Sequence, residues 1–286
     1  MKNITVYQLV CEMNFPFLAG TLETAIPEAL TNQPRKHTYY LAIWITAGSG
    51  EHIIDFESYP IERHALYFVR PEQVQLWQIT KPVTGYYALF DEEIFHVYGA
   101  NRFFKQLSFL TPFERSPIFY FNDQSQADLF QDLFIQIRNA FRNNKWGQGA
   151  ELISWLQLLC VYTERIFTEG EMGQELSVGQ RMTRRFLELV DSYATKEQNL
   201  TFYAKKLGVT VGHLTETVAA MHSVPAGALL RQQRMLEAKR LLAYTDLTAA
   251  EISQQLSYAD RSYFGRAFKR ETGHTPRNFR QQYRQE

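Results

Sequence analysis

Cysteine and long apolar runs are both scarce in this sequence. Its 286 residues include two cysteines, Cys11 and Cys160, too few for a disulfide framework or for a zinc site built from several thiolates. No stretch reaches the roughly 18 consecutive apolar residues that a membrane-spanning helix needs. Residues 1–4 are not followed by the apolar core of a secretion signal. We therefore expect a cytoplasmic protein that does not enter a membrane.

Histidines that could hold a metal are also few. His37, His52, His64 and His96 are scattered along the first 100 residues, whereas a metal site needs several ligands in one place. An isolated histidine is more often structural than a metal ligand. The sequence therefore predicts neither a metal nor another cofactor.

The chain as a whole has no excess of either charge, but its two parts have excesses of opposite sign. The chain has 30 basic and 30 acidic residues; residues 1–170 carry 13 Lys and Arg against 18 Asp and Glu, and residues 171–286 carry 17 against 12. Residues 261–284 contain seven basic residues and a single acid, Glu271. This asymmetry favours a nucleic-acid-binding part beside a neutral or acidic part. The alternative is chance segregation of charge on two solvated surfaces.

The first 121 residues have the pattern of short β-strands separated by turns. We predict strands at residues 39–46, 52–56, 65–69, 73–80 and 85–90. Gly48, Ser49 and Gly50 are predicted to form a turn, and Pro60 and Pro71 to separate strands. Strands at this spacing indicate a sandwich or a small barrel.

The hydrophobic period then becomes that of a helix. Apolar residues at helical spacing are Phe130, Leu133, Phe134, Ile137 and Phe141. Ser125 and Asp128 resemble a capping box at the start of this helix. A second helix is predicted over residues 150–167, with an apolar side formed by Leu152, Ile153, Leu156, Leu159, Cys160 and Ile166. The pair could cover the barrel, form a dimer interface, or do both.

Residues 169–179 are polar and contain glycine, which predicts a linker. Beyond it, residues 204–218 and 253–268 resemble each other at offsets of 49 and then 50, so that the second turn is one residue longer. Each segment has the helix, turn and helix of a helix-turn-helix. Gly208 suits the first turn because it accepts a positive φ. Ser257 in the matching place predicts a tighter or differently shaped backbone.

Helix boundaries in this region have clear signals. Thr248 and Glu251 form a capping-box pattern, and Thr210 and Asp260 stand at the expected N-caps of the two second helices. Residues 228–243 contain no helix breaker and predict one long helix that bridges the two segments. Gly273 is a predicted stop, and residues 275–276 (Thr-Pro) a predicted start.

Residues 180–282 resemble the DNA-binding domain of AraC/XylS-family transcription regulators. The matching residues are Arg234, Ala238, Leu241, Leu242, Ile252, Tyr258, Asp260, Ser262, Tyr263, Phe264, Arg266, Phe268, Lys269, Arg270, Gly273, Thr275, Pro276, Phe279 and Arg280. The resemblance implies an α+β protein of two domains. Residues 1–168 would form a cupin-like β-barrel with two helices. After a linker at 169–179, residues 180–286 would form an all-α domain with two helix-turn-helix units joined by a long helix.

The same resemblance implies which residues face DNA. In the first unit they are Gly212, His213, Thr215 and Glu216; in the second they are Arg261, Ser262, Gly265 and Arg266. Because Glu216 repels phosphate, we expect the first unit to read DNA weakly or narrowly. The two arginines could contact guanine or only phosphate. The expected phosphate contacts are Lys269, Arg270, Arg277 and Arg280, while Tyr263, Phe264 and Phe268 are expected in the core.

For the barrel, the resemblance implies a small-molecule pocket. Its expected positions are Ala47, Gln75, Trp77, Gly85 and Tyr87, and Phe15 and Phe17 could form an arm that closes its mouth. Gln73 and Gln75 stand where metal-binding cupins have histidines, which argues against a metal. Such a pocket has aromatic walls suited to a sugar or an aromatic compound, unless these aromatic residues only pack the core.

Taken with the resemblance, the sequence predicts a one-component transcription activator or repressor that binds double-stranded DNA. We expect it to be a homodimer controlled by a small-molecule effector, with RNA polymerase as a further partner, and not an enzyme. The alternatives are a metal-dependent cupin oxidoreductase with an accessory DNA-binding module, a DNA-repair methyl acceptor using a cysteine, and a ligand-independent regulator whose barrel only dimerises.

Overall fold

The computed structural model describes residues 5–7, 17–25, 33–97, 101–104, 107–111, 118–143, 145–168, 177–222 and 224–284. Residue contacts divide the chain into an N-terminal unit, residues 4–110 and 114–172, and a C-terminal unit formed mainly by residues 173–286. The division falls within the stretch predicted as a linker, most of which (residues 169–176) lies outside the described residues, as do Cys11 and Phe15. No helix in the described part has both the length and the apolar character needed to cross a bilayer.

The described strands of the N-terminal unit form one sheet, antiparallel except for the parallel pair β1 and β3, and the helices lie beside it. The strands are β1 (Thr5–Tyr7), β2 (Phe17–Thr21), β3 (Arg35–His37), β4 (Tyr40–Ile54), β5 (Glu57–Ile61), β6 (Ala65–Val69), β7 (Val74–Phe90) and β8 (Ile118–Tyr120). The helices are α1 (Leu22–Ala25), α2 (Glu93–Val97), α3 (Asn101–Phe104), α4 (Gln124–Arg142) and α5 (Gln148–Phe167), with a 3₁₀ turn at Ser108–Leu110. The strand order is β1-β3-β7-β4-β6-β8, with β2 also on β7 and β5 on β4.

The two longest strands correct the sequence prediction. The turn expected at Gly48, Ser49 and Gly50 is absent, because β4 continues through these residues and pairs with β7 on both sides of them. The pairing register shifts there, and Gly48 and Gly50 adopt φ values of 115° and 144° that favour glycine. A bulge of this kind adds a residue and bends the strand without ending the pairing. For the same reason residues 73–80 and 85–90 form one strand instead of two.

The apolar helix pair covers one face of the sheet, which confirms the first of its two expected roles. Phe130, Phe134, Leu152 and Leu156 are fully buried with Trp44 in one hydrophobic cluster. The capping-box prediction at α4 was wrong. The N-cap is Asp123, whose carboxylate accepts the Ser125 N–H at 2.9 Å.

Two further local predictions for this unit also fail. Phe17 is a core residue of β2, 1% exposed and paired in register with Phe90, so it does not form an arm over a pocket. Pro60 lies inside β5 instead of separating strands. Proline is tolerated there because, among the described strands, β5 pairs with β4 alone and is an edge strand.

The C-terminal unit is helical throughout its described residues. Its helices are α6 (Val178–Tyr193), α7 (Leu200–Leu207), α8 (Val211–Met221), α9 (Ala226–Tyr244), α10 (Ala249–Gln255), α11 (Arg261–Thr272) and α12 (Pro276–Arg284). We call α7 with α8 the first head and α10 with α11 the second head; α9 is the predicted bridging helix between them. Helix α6 begins at Val178, within the predicted linker.

The two heads have matching turns. Gly208 has a φ of 71° and Ser257 a φ of 56°, so both occupy the left-handed region. The prediction of a different backbone at Ser257 was therefore wrong. The predicted caps are confirmed: Thr210 accepts from the His213 N–H, Asp260 accepts from the Tyr263 N–H, and Thr248 forms a capping box. One more residue separates Ser257 from Asp260 than separates Gly208 from Thr210, as the repeat offsets predicted.

Candidate nucleic-acid interface

Helix α11 is amphipathic in a way that turns basic groups to solvent. Phe264, Ala267 and Phe268 are buried, while Ser262, Arg266 and Lys269 are exposed. The exposed residues, together with half-buried Gly265, follow the i, i+3, i+4, i+7 spacing of one helix stripe. Asp260 caps the helix, its side chain accepting the Tyr263 N–H at 2.7 Å. The stripe is therefore held by a buried aromatic seam and a fixed helix start.

Four cations of the second head and α12 are available to a ligand. Arg261, Arg266, Lys269 and Arg277 are exposed and make no hydrogen bond or ion pair with the described residues. Arg270 differs, because its guanidinium lies 3.2 Å from the Glu271 carboxylate. An exposed pair of this kind is weak, so a phosphate could replace the carboxylate.

Two sequence expectations for this region are corrected. Arg280 donates through Nε to the Leu242 carbonyl at 3.1 Å and through a second nitrogen to the Leu247 carbonyl. Its guanidinium therefore donates to carbonyls at and just beyond the end of α9, and is not free to bind a phosphate as expected. Tyr263, expected in the core, is 49% exposed.

The first head presents the same geometry with different chemistry. Leu214 and Val218 are buried on α8, as Phe264 and Phe268 are on α11. The other face of α8 carries Gly212, Thr215 and Glu216 at the places of Ser262, Gly265 and Arg266, offset by 50 residues. Exposed His213 lies beside them, and the Thr215 hydroxyl donates to the Val211 carbonyl at 2.8 Å. This stripe has an acid where the second head has an arginine.

A glycine lies on each stripe without a packing reason inside the protein. Beyond its own turn of helix, a methyl group added at Gly212 or Gly265 would meet no atom of the described residues within 4 Å. Glycine within a helix costs roughly 0.5–1 kcal/mol relative to alanine. A surface that approaches the helix backbone from outside would explain both residues.

The residues expected to bind a small molecule fall into two groups on the sheet. Gln75 and Trp77 are buried at the first part of β7, and Trp77 stacks on His52 with ring centroids 4.0 Å apart. The His52 Nε2–H donates to Gln75 Oε1 at 2.8 Å, since an amide oxygen only accepts. His52 Nδ1 is then an acceptor, buried and without a partner in the described residues. Tyr67 closes the other side, its ring 5.2 Å from that of His52.

The second group lies near the far end of β7. Gly85 pairs in register with Ile45, and a methyl group there would come within 2.0 Å of the Trp44 carbonyl oxygen. Tyr87 is half-buried beside Gly20, whereas Ala47 is exposed at the bulge. Trp77 is a member of the hydrophobic cluster on this face of the sheet, and Tyr87 packs against it.

Sequence reasoning missed the buried polar neighbours of this first group. Arg35 and His37 on β3 are buried, at 8% and 7% exposure, and Arg35 pairs in register with Gln75. His37 also acts electrostatically on His52. Arg35 and His37 lie 15 to 40 positions before His52 and Gln75, and only strand pairing brings them together. Clustered polar residues of this kind left no local pattern in the sequence.

These buried histidines predict that the N-terminal unit loses stability in acid. Burial lowers the pKa of His52 from 6.5 to about 3, and burial together with Arg35 lowers the pKa of His37 to about 4. Both therefore stay neutral in the folded protein while the unfolded chain takes up protons below pH 6.5, so stability is full above that pH and declines toward pH 4. For each of the two histidines, we expect the free energy of unfolding to fall by up to about 1.4 kcal/mol per pH unit.

Urea denaturation at pH 7, 6 and 5, followed by tryptophan fluorescence, measures this loss. All four tryptophans of the chain lie in the N-terminal unit, so the signal reports that unit alone. The variant His52→Gln should show a smaller dependence on pH than the wild type. Equal dependence in both proteins would contradict the assignment to His52.

The described residues offer neither of the two groups, metal ligands or a reactive thiol, that the enzymatic alternatives need. Among the described residues, no group of three His, Cys, Asp or Glu is placed to hold a metal ion. Cys160 is fully buried, and burial raises the pKa of its thiol. A buried neutral thiol is a poor nucleophile for a methyl acceptor.

Parts of this chain are similar to known proteins. A model of a helix-turn-helix domain matches residues 203–282, from α7 to α12. The HTH-type transcriptional activator RhaS of Enterobacter sp. (strain 638) is 20% identical over 264 residues, which cover 91% of each chain. Among solved structures, the C-terminal domain of the response regulator yesN from Fusobacterium nucleatum is 29% identical, covering 33% of this chain and 93% of that one with a TM-score of 0.32.

ToxT from Vibrio cholerae is 13% identical and covers 94% of this chain and 98% of its own, with a TM-score of 0.42. Relatives that match 91% of this chain carry the name HTH-type transcriptional activator RhaS. Residues 203–282 of the chain thus match a helix-turn-helix domain, and over 91% of its length the chain is similar to an HTH-type transcriptional activator.

Proposed function

We propose that the protein recognises a specific DNA sequence through both heads, with the second head as the main reader. The observation that carries this is the exposed stripe of α11, where Arg266 and Lys269 stand opposite buried Phe264 and Phe268. A helix with one buried seam and one cationic face fits the major groove. Arg261 precedes the stripe at the helix start, which in helix-turn-helix proteins is the end nearest the bases.

Within this proposal the residues have different tasks. Arg261 and Arg266 pair with guanine, because a guanidinium matches its O6 and N7 acceptors. Lys269, Arg270 and Arg277 contact phosphate and set the position of the protein on the duplex. In the first head, Gly212, His213, Thr215 and Glu216 face the groove, where Glu216 can accept from a cytosine amino group.

Selection of binding sites from a pool of random duplexes tests the proposal. We expect enrichment of a site with two segments about one helical turn apart, one of them rich in guanine. If the full-length protein enriches no sequence over the starting pool, sequence-specific binding is refuted.

The phosphate contacts predict a definite response to salt. Replacing Lys269 with alanine should weaken binding to selected and unrelated duplexes alike, because phosphate carries no sequence information. The slope of log affinity against log salt concentration should fall by about 1, as one counterion fewer is released. Fluorescence anisotropy from 50 to 300 mM salt measures it. Glu271→Gln, on the same helix, serves as the control and should not lower the slope.

For the N-terminal unit we propose a small neutral effector that carries hydroxyl groups, either a sugar or a hydroxylated aromatic compound. Support comes from the unpartnered His52 Nδ1 acceptor and from the aromatic side chains around it, Trp77 and Tyr67. Gln75 belongs to the same group, while Ala47, Gly85 and Tyr87 lie further along the strands.

A thermal-shift screen of the full chain with such compounds tests the effector proposal. A hit should raise the melting temperature of the wild type and should raise it less in Trp77→Ala. If no sugar or aromatic compound changes the melting temperature, a regulator without an effector becomes the better account.

The remaining assignments complete the proposal. We propose residues 1–168 as the sensor domain, 169–179 as the linker and 180–286 as the DNA-binding domain. The protein acts in the cytoplasm as a homodimer, and RNA polymerase is a further partner.

The outer side of α5 supports a dimer contact, since Trp155, Leu158 and Tyr162 follow helical spacing and Leu158 is 40% exposed. Sedimentation of Leu158→Glu, which should be monomeric, tests that contact.

A further inference from the structure

The turn of the second head is held from outside by two side chains. Arg234, on the bridging helix α9, donates to the Leu256 carbonyl at 2.8 Å. Gln198, in the loop that leads into the first head, donates through Nε2 to the Ser257 carbonyl. The loop before the first head thus contacts the second head directly, 59 residues further along the chain, in addition to the connection through α9.

Arg234 makes a second contact with this turn. Its guanidinium carbon lies 4.0 Å from the centre of the Tyr258 ring, a cation–π contact. Arg234 is 6% exposed, and burial lowers the pKa of its guanidinium. Three consecutive residues of the turn, 256 to 258, are therefore fixed by groups that do not belong to the second head.

The loop that carries Gln198 is itself anchored in the first head. The Tyr203 hydroxyl donates to the Glu197 carbonyl at 2.8 Å, and Tyr203 is fully buried on α7. The side chain of Asn199 accepts the Thr201 N–H at 2.9 Å and caps the same helix. A shift of the first head would therefore move Gln198, and with it the Ser257 carbonyl.

We propose that Gln198 and Arg234 form a joint that fixes the angle between α8 and α11, and so sets the spacing at which the protein reads its two DNA segments. The turn at 256–258 sets the direction of α11, because α11 begins only three residues after it, at Arg261. Both residues are positioning residues that contact no DNA. The inference rests on the proposed two-headed reading of DNA.

Binding to a selected duplex and to versions with one base pair inserted or removed between its segments tests the joint. Wild type should prefer the selected spacing. In Gln198→Ala this preference should fall about 2- to 10-fold, the effect of one lost hydrogen bond. Its affinity for duplexes that keep only one segment should not change, whereas damage to either head would lower it. Gln198→Glu, of equal size but unable to donate, should behave like Gln198→Ala.

Gln255→Ala replaces an exposed glutamine at the end of α10 whose side chain makes none of the turn contacts named above; it is the matched control and should keep the wild-type spacing preference. Arg234→Lys keeps the charge but loses the planar group and should relax the spacing as well. If wild type prefers one spacing and both Gln198 variants retain that preference in full, the joint is refuted. A selected site with one segment instead refutes the two-headed reading itself.

Discussion

Replacing Arg266 with alanine is expected to remove most of the preference of the second head for its own sequence. Arg266 is exposed and makes no hydrogen bond or ion pair with the described residues, so its loss should not disturb the fold. A bidentate contact with guanine is worth about 1–3 kcal/mol of discrimination, or roughly 5- to 150-fold in affinity. Arg261→Ala should have a comparable effect at a neighbouring base pair. Competition between the selected duplex and single-base variants measures it.

Arg277 provides the matched control for this experiment. It is an exposed arginine on α12, outside the stripe of α11. Arg277→Ala should weaken binding to every duplex by a similar factor, because a phosphate contact carries no sequence information. The assignment fails if Arg266→Ala and Arg261→Ala both lower affinity uniformly, as Arg277→Ala should. Those arginines would then be phosphate contacts, and sequence would be read elsewhere.

The two heads were predictable because their structure is local. Caps such as Thr210 and Asp260 and the turn at Gly208 act on residues a few positions away. The apolar spacing that predicts the burial of Phe264 and Phe268 lies within a single helix. The repeat then confirmed each signal with a second copy, so the boundaries agreed with the structure to within a few residues.

The sheet was harder to predict because bulges mimic turns. Gly48 and Gly50 have the composition of a hairpin, yet β4 runs through them while its partner β7 stays paired. Sequence alone does not distinguish a positive φ in a bulge from one in a turn. Contacts between distant residues were equally hidden: Arg280 reaches Leu242, and Gln198 reaches Ser257. Both side chains are polar and near the surface, so their sequence context resembles that of a free or phosphate-binding residue.

The largest effect on stability in the C-terminal unit is expected for Phe264→Ala, and its neighbour in sequence provides the control. Phe264 is fully buried, with its ring 5.2 Å from that of Tyr258 and 5.8 Å from that of Phe268. Truncating a buried phenylalanine costs about 3–5 kcal/mol, a large part of the 5–15 kcal/mol that typically stabilises a domain. Helical circular dichroism during urea denaturation should show the second head unfolding early, with loss of binding to its DNA segment.

Tyr263→Ala removes an aromatic ring of similar size one position earlier. That ring is half in solvent, so its removal should change the free energy of unfolding by no more than about 0.5 kcal/mol. Tryptophan fluorescence should report the same denaturation midpoint in both variants, because every tryptophan lies in the N-terminal unit. Equal destabilisation by the two substitutions would mean that α11 is not oriented with Phe264 inward. The cationic stripe, which depends on that orientation, would then not face DNA.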